Sequence, residues 1–232
     1  MIRNQREFLR FMKLLNDNDC LEHMVLIGSW AEYLYSELNI LLNYESNIKT
    51  LDVDFLIKNL KKPIKPINII NLAKEEGFLI ETDRLNGVTK IFDPDGLEIE
   101  FLIAKRGKGV ENAMKTNLGV TAEALRHLEL LSDHTIITPY LGMDIEIPMP
   151  EAFVIHKIVI NSKRKEKTEK DQKVINEMFL HLDKTVFEDI LKTLPKSDQK
   201  KVEEYMTLHI VPEKERRALI ETAKERIKKQ NK

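Results

Sequence analysis

A chain of 232 residues can bury a full hydrophobic core and is long enough for one large domain or two modest ones. Its 37 basic and 38 acidic residues leave a formal net charge of -1, which excludes a chain-wide attraction to nucleic acid or to an anionic membrane, so any basic site has to be local. The single cysteine, Cys20, excludes an intrachain disulfide framework and a zinc cluster of several thiolates, and fits a reducing cytoplasm as a packed, inert thiol.

The first residues, Met1-Ile2-Arg3-Asn4-Gln5-Arg6-Glu7, carry charges where a secretory leader needs an unbroken apolar stretch, and no later run approaches membrane-spanning length. The expectation is a soluble cytoplasmic protein. From Arg3 to Leu15 a helical stripe of Phe8, Leu9, Phe11, Met12 and Leu15 predicts a first helix, which Asn16-Asp17-Asn18-Asp19 breaks. Met24 to Ile27 reads as a short strand; Ser29 is placed to cap a helix running through Trp30 toward Leu42.

Leu51-Asp52-Val53-Asp54-Phe55-Leu56-Ile57 reads as the next strand. The prolines of Lys61-Lys62-Pro63-Ile64-Lys65-Pro66 impose a loop before a helix near Ile67 to Glu76, which Gly77 closes. Phe78 to Thr82 and Val88 to Phe92 predict strands, and the turn Asp93-Pro94-Asp95-Gly96 returns the chain as the alternating strand Leu97 to Ile103. Ala122 to Leu131 fits a helix and a buried strand equally. Thr135 to Tyr140 and Asp144 to Pro148 predict a second hairpin; beyond Pro150 the chain is helical and charged. The predicted division is an α/β domain over residues 1–149 and a helical domain over 150–232.

A strand turns alternate side chains to the same face, so Asp52 and Asp54 point one way while Val53 and Phe55 point the other. Like charges so close repel, and a divalent cation with a preference for oxygen ligands, such as Mg²⁺ or Mn²⁺, relieves that repulsion. Each element taken alone has a plainer reading: Gly28-Ser29 as an ordinary strand-to-helix turn, Glu98 and Glu100 as the wet side of a hairpin, and the basic residues from Lys157 to Lys173 as a solvated helical face. Trp30 beside the turn is a base-stacking candidate but more commonly a core anchor, and the six histidines lack zinc-ligand spacing. It is the combination of the turn with the acids that points to chemistry on phosphates.

Gly28-Ser29, Asp52-Val53-Asp54 and the acidic strand around Glu98 and Glu100 resemble the signature of the DNA polymerase beta-type nucleotidyltransferase superfamily. Pro150-Glu151-Ala152-Phe153-Val154-Ile155-His156-Lys157, followed by Arg164, Lys167 and Lys170-Asp171, resembles the C-terminal pattern of minimal nucleotidyltransferases akin to the abortive-infection toxins. The resemblance implies a polymerase-beta-like α/β (α+β) core with a mixed sheet and a helical C-terminal domain. It further implies Asp52, Asp54 and Glu100 as catalytic metal ligands for Mg²⁺ or Mn²⁺, with Glu98 as the alternative third acid.

Gly28, Ser29, Lys157, Arg164 and Lys170 then follow as residues that bind the nucleoside triphosphate, and Asp171 as a residue orienting one of the cations. The implied reaction moves a nucleoside monophosphate from the triphosphate to an RNA, a protein or a small molecule and releases pyrophosphate. Two departures stand out: a glutamate where aspartate is commoner, and a long interval from Ser29 to Asp52 that calls for a longer helix or an inserted loop at Asn43 to Thr50. A contrasting expectation is an inactive nucleotide- or partner-binding module, as in a toxin-antitoxin pair.

Overall fold

Amphipathic segments and one central sheet account for most of the architecture. The computed structural model describes residues 5–46, 52–105, 107, 113–161 and 168–210. Helix α1 (Gln5–Asp17) lays Phe8, Phe11, Met12 and Leu15 onto the sheet, as the stripe predicts. Strand β1 (Met24–Ile27) leads directly into α2 (Gly28–Glu37), and β2 (Asp52–Ile57) follows. After α3 (Ile69–Glu75) come the hairpin β3 (Leu79–Thr82) and β4 (Thr89–Phe92), then β5 (Glu98–Ala104), β6 (Ala113–Lys115) and β7 (Thr121–Leu125). The order across the sheet is β1-β2-β5-β4-β3, and β7 joins β5 on the same side as β4, along the half that β4 leaves uncovered, with β6 outside it. The first half of β5 therefore pairs with β4 and the second half with β7.

The sheet is mixed, as expected: β2 runs parallel to β5 and antiparallel to β1. One face rests on aromatic side chains. Phe8 stacks on Trp30 at 3.9 Å, Phe11 meets Phe55 and Phe78, and Phe55 stacks on Phe101 at 6.1 Å between centroids. Rings in these offset and edge-on arrangements add to the burial of their apolar area. Trp30 is fully buried and serves as a core anchor. On the opposite face, Val25, Ile27, Leu56 and Leu102 pack against Leu128 and Leu131 of the segment around α4 (Glu129–Asp133). That second face is apolar at one end only.

The hairpin β8 (Thr135–Tyr140) and β9 (Met143–Pro148) packs beside β1 and leads into α5 (Pro150–Asn161), α6 (Thr168–Phe179), α7 (Lys184–Thr193) and α8 (Lys196–Tyr205). Asp183 caps α7 by accepting from the amides of Thr185 and Val186 at 2.8 and 3.2 Å, satisfying donors that have no partner inside the helix. The helices share the core of the sheet: Tyr35 meets the Phe153 ring edge-on and donates its hydroxyl to the Pro148 carbonyl at 2.8 Å. No helix among the described residues is long and apolar enough to cross a membrane.

Two expectations are corrected, one open stretch is resolved and one helix start is refined. Helix α2 stops at Glu37 rather than near Leu42, because the chain turns back to bury Leu41 and Tyr44, whose hydroxyl donates to Glu32 at 2.7 Å. Ser29 does not cap α2: the helix begins at Gly28, extended Ile27 takes the cap position, and no side chain bonds there. The undecided stretch Ala122 to Leu131 is neither one helix nor one strand but β7 followed by α4, separated by a turn in which His127 adopts a φ of 68°. Helix α3 starts at Ile69, with the Asn68 side chain accepting from the Asn71 amide at 3.0 Å.

Cys20 is fully buried, and burial first and Asp19 second push its thiol up to about 12. At pH 8 the reactive thiolate is therefore scarce as well as inaccessible. Iodoacetamide labelling followed by mass spectrometry should leave Cys20 unmodified in the native protein and modify it readily in urea. Fast labelling of the folded chain would contradict this packing.

Candidate active site

Parallel pairing of β2 with β5 sets Asp52 opposite Glu98 and Asp54 opposite Glu100. In each strand the residue between the acids and the one after them are buried: Val53 and Ile99 at 1 and 0 %, Phe55 and Phe101 at 0 %. Strand alternation then turns the four acids, all half-buried, to the face away from the aromatic core. Farther along that face, Leu56 and Leu102 continue the same parity into the apolar cluster with Val25 and Ile27. Acidic at one end and apolar at the other, this face opens where β1 gives way to α2.

Gly28 stands at that opening. Its φ of 67° is one that L side chains seldom adopt, and a β-carbon built on it would lie 2.2 Å from Asp54 Oδ2. The bend between β1 and α2 thus presses bare backbone against the Asp54 carboxylate, while the pairing of Ile27 with Asp54 anchors the strand just before it. The first-turn amides of α2 lack intrahelical partners, and this turn starts at the Gly28 that adjoins the carboxylate and continues with the half-buried Ser29.

Lys90, on β4, was absent from the sequence-based set. It pairs directly across from Glu100, and its Nζ donates to Glu98 Oε1 at 2.5 Å and to Glu100 Oε1. Hydrogen bonds to Glu100 and then to Glu98 hold its ammonium well above the ordinary lysine range. A signal for it existed: the Asp93–Gly96 turn fixes the hairpin register, with the Asp93 amide donating to the Leu97 carbonyl at 2.8 Å. Counting back across that turn sets Lys90 against Glu100.

Among the described residues no three His, Cys, Asp or Glu side chains converge closely enough to hold a metal ion. The oxygen-only donors Asp52, Asp54, Glu98 and Glu100 nonetheless match in kind what Mg²⁺ or Mn²⁺ prefers. Lys157 belongs to a different group: on α5 its Nζ donates to Asp171 Oδ1 at 2.9 Å and lies 5.1 Å from the Phe153 ring centroid. Asp171 thus holds Lys157, whereas the expectation had it orient one of the later cations Arg164, Lys167 and Lys170. Arg164, Lys167 and the side chain of Lys170 lie outside the described residues, as does part of the interval from Asn43 to Thr50.

A family model described as nucleotidyltransferase matches residues 6–194. The chain belongs to the nucleotidyltransferase family. It is therefore an enzyme of the class that uses a nucleoside triphosphate and transfers its nucleoside monophosphate. Two solved structures share the fold. One is an antigenic nucleotidyltransferase-like protein from Paracoccidioides brasiliensis, with 14% identity, 89% of each chain covered and a TM-score of 0.53. The other is ANT(2")-Ia in complex with adenylyl-2"-tobramycin, with 10% identity, 88% of this chain and 99% of that chain covered, and a TM-score of 0.51. Identities this low establish likeness of fold alone. No curated protein matches the chain.

Proposed function

We propose that this nucleotidyltransferase is metal-dependent, with Asp52, Asp54 and Glu100 as ligands of Mg²⁺ or Mn²⁺ and Glu98 as the alternative third acid. The observation that carries the reading is the register that sets Asp54 beside Glu100, with the Gly28 backbone pressed on the Asp54 carboxylate. Bound to these oxygens, the ion would neutralise phosphate charge and raise the acidity of the acceptor hydroxyl. The residues of the chain do the rest. Gly28 lets a triphosphate approach the backbone without a side-chain clash, and the Ser29 hydroxyl and first-turn amides of α2 donate to its oxygens.

The acceptor oxygen attacks the α-phosphorus, forming a new P–O bond as the bond to the β-phosphate oxygen breaks. The acceptor proton leaves to a site carboxylate or to water, and pyrophosphate departs with the displaced electron pair. Lys157, held by Asp171, would serve as a point charge toward phosphate, and Arg164 and Lys170 as further cations from the following segment. We keep the division at residue 150: the α/β unit carries the acids and the helices that follow carry the cations.

ANT(2")-Ia was captured with an adenylylated small molecule, which keeps a small hydroxylated acceptor beside RNA and protein. Toxin-like kinship rests on the Pro150–Lys157 stretch, and the acceptor class decides it. The test is to incubate purified protein with Mg²⁺, each labelled nucleoside triphosphate, and cellular RNA, protein or a panel of polyhydroxylated amines. An Asp52→Ala/Asp54→Ala variant runs in parallel. Label transfer that needs Mg²⁺ and disappears in the variant supports the proposal; transfer that persists there removes these residues from the metal site. Nucleotide binding without transfer would instead favour a non-catalytic module, a reading that draws on the hold of Lys90 over two of the acids.

A further inference from the structure

Four carboxylates share one face of β2 and β5, and the side chain of Lys90 is bound to two of them. Its neighbours across the sheet define its place. Asp54, Glu100 and Lys90 form one row on three adjacent strands, and Asp52, Glu98 and Phe92 form the next. Glu100 is thus flanked by an anion on one side and a cation on the other, so Lys90 satisfies it directly, whereas the Asp54 side satisfies it only with a cation between the two acids. In this structure it is bound by Lys90, and no three-acid cluster is present among the described residues. Glu98 is bound by the same ammonium at 2.5 Å and lies one pleat away, beside Asp52. The arrangement is half-buried: the side chains of Lys90, Glu98 and Glu100 retain 39, 27 and 29 % exposure, so the ammonium can detach without crossing the core.

We infer that Lys90 is a positioning residue that competes with the divalent ion for Glu100, stays on Glu98 once Glu100 turns toward Asp54, and so sets how tightly the acid face takes up metal. This rests on the metal-site reading above. The ammonium screens the repulsion among the carboxylates while no ion is bound, and gives up one hydrogen bond when Glu100 swings to the ion. Uptake of metal is therefore an exchange of one cation for another, with Glu98 holding the displaced lysine close to the site.

The test measures Mn²⁺ binding to the nucleotide-free protein by electron paramagnetic resonance and calorimetry, independently of turnover. Lys90→Gln should bind Mn²⁺ about three- to tenfold more tightly than the native protein, because a partly exposed pair of hydrogen-bonded charges no longer opposes the ion. It should also show a larger rise in melting temperature on Mn²⁺ addition, since its unscreened carboxylates gain more from a ligand that binds only the folded state. Lys90→Arg should restore affinity toward the native value. Lys58→Gln removes a lysine from the other end of β2, where Nζ pairs with Glu146 at 2.6 Å, and should leave Mn²⁺ affinity unchanged. Equal tightening in Lys58→Gln and Lys90→Gln would reduce the effect to general charge and overturn the inference. Unchanged affinity in Lys90→Gln, with binding still lost in Asp52→Ala/Asp54→Ala, would overturn it while leaving the metal site standing. Absence of Mn²⁺ binding in the native protein would overturn both.

Discussion

Asn in place of Asp54 should lower nucleotidyl transfer by about a thousandfold, roughly 4 kcal/mol of lost transition-state stabilisation, while the chain stays folded. Asp54 is the acid beside the bend: Glu100 lies opposite it, Ile27 pairs with it, and the Gly28 backbone adjoins its Oδ2. Asparagine keeps the shape and one oxygen but removes the charge that holds a divalent ion. Stability should barely respond, with a melting temperature within about 3 °C of the native value, because the side chain is half-buried and one carboxylate fewer relieves repulsion on the face. Single-turnover transfer at saturating Mg²⁺ and thermal melting read the two effects separately. Activity within tenfold of native would exclude Asp54 as a metal ligand.

Ala at Gly28 should have the second-largest effect, and its signature is a loss of activity out of proportion to the loss of stability. The positive φ of 67° costs a residue with a β-carbon about 1–2 kcal/mol. The added carbon would meet Asp54 Oδ2 at 2.2 Å, so the carboxylate has to rotate away. Because that atom is the tip of a side chain, the rotation is cheap in stability. It displaces the proposed metal ligand by about an ångström, a misplacement expected to lower turnover by about a hundredfold. Chemical denaturation and transfer kinetics on the same preparation would show both. A variant as active as the native protein would mean that the bend does not adjoin the reacting groups.

Much of this could be read from residues alone, for reasons particular to each. The stripe on α1, the alternation in β2 and β5 and the Asp93–Gly96 turn are local patterns, and each became the expected element. The aspartate pair and Gly28 were legible because one strand and one bend contain them. What escaped depended on contacts distant in sequence. The capture of Tyr44 by Glu32 shortened α2, and the left-handed turn at His127 split a segment whose periodicity favoured neither state. Lys90 was overlooked because a lysine in a short strand looks solvated until the hairpin register sets it against Glu100. The preference for Glu100 over Glu98 comes from the resemblance; the pairing adds that Glu100 stands opposite Asp54 and Glu98 opposite Asp52.

Phe55 and Phe101 each follow an acid by one residue, and their rings stack beneath the sheet at 6.1 Å with 22° between planes. The gap between the carboxylates above is gauged by the hydrogen-bonded spacing of β2 and β5, about 4.8 Å, and the two aromatic plates below brace it. A smaller residue in either plate would loosen that brace without altering a single charge, so an assay of transfer doubles as a sensitive caliper of the hidden side of the molecule.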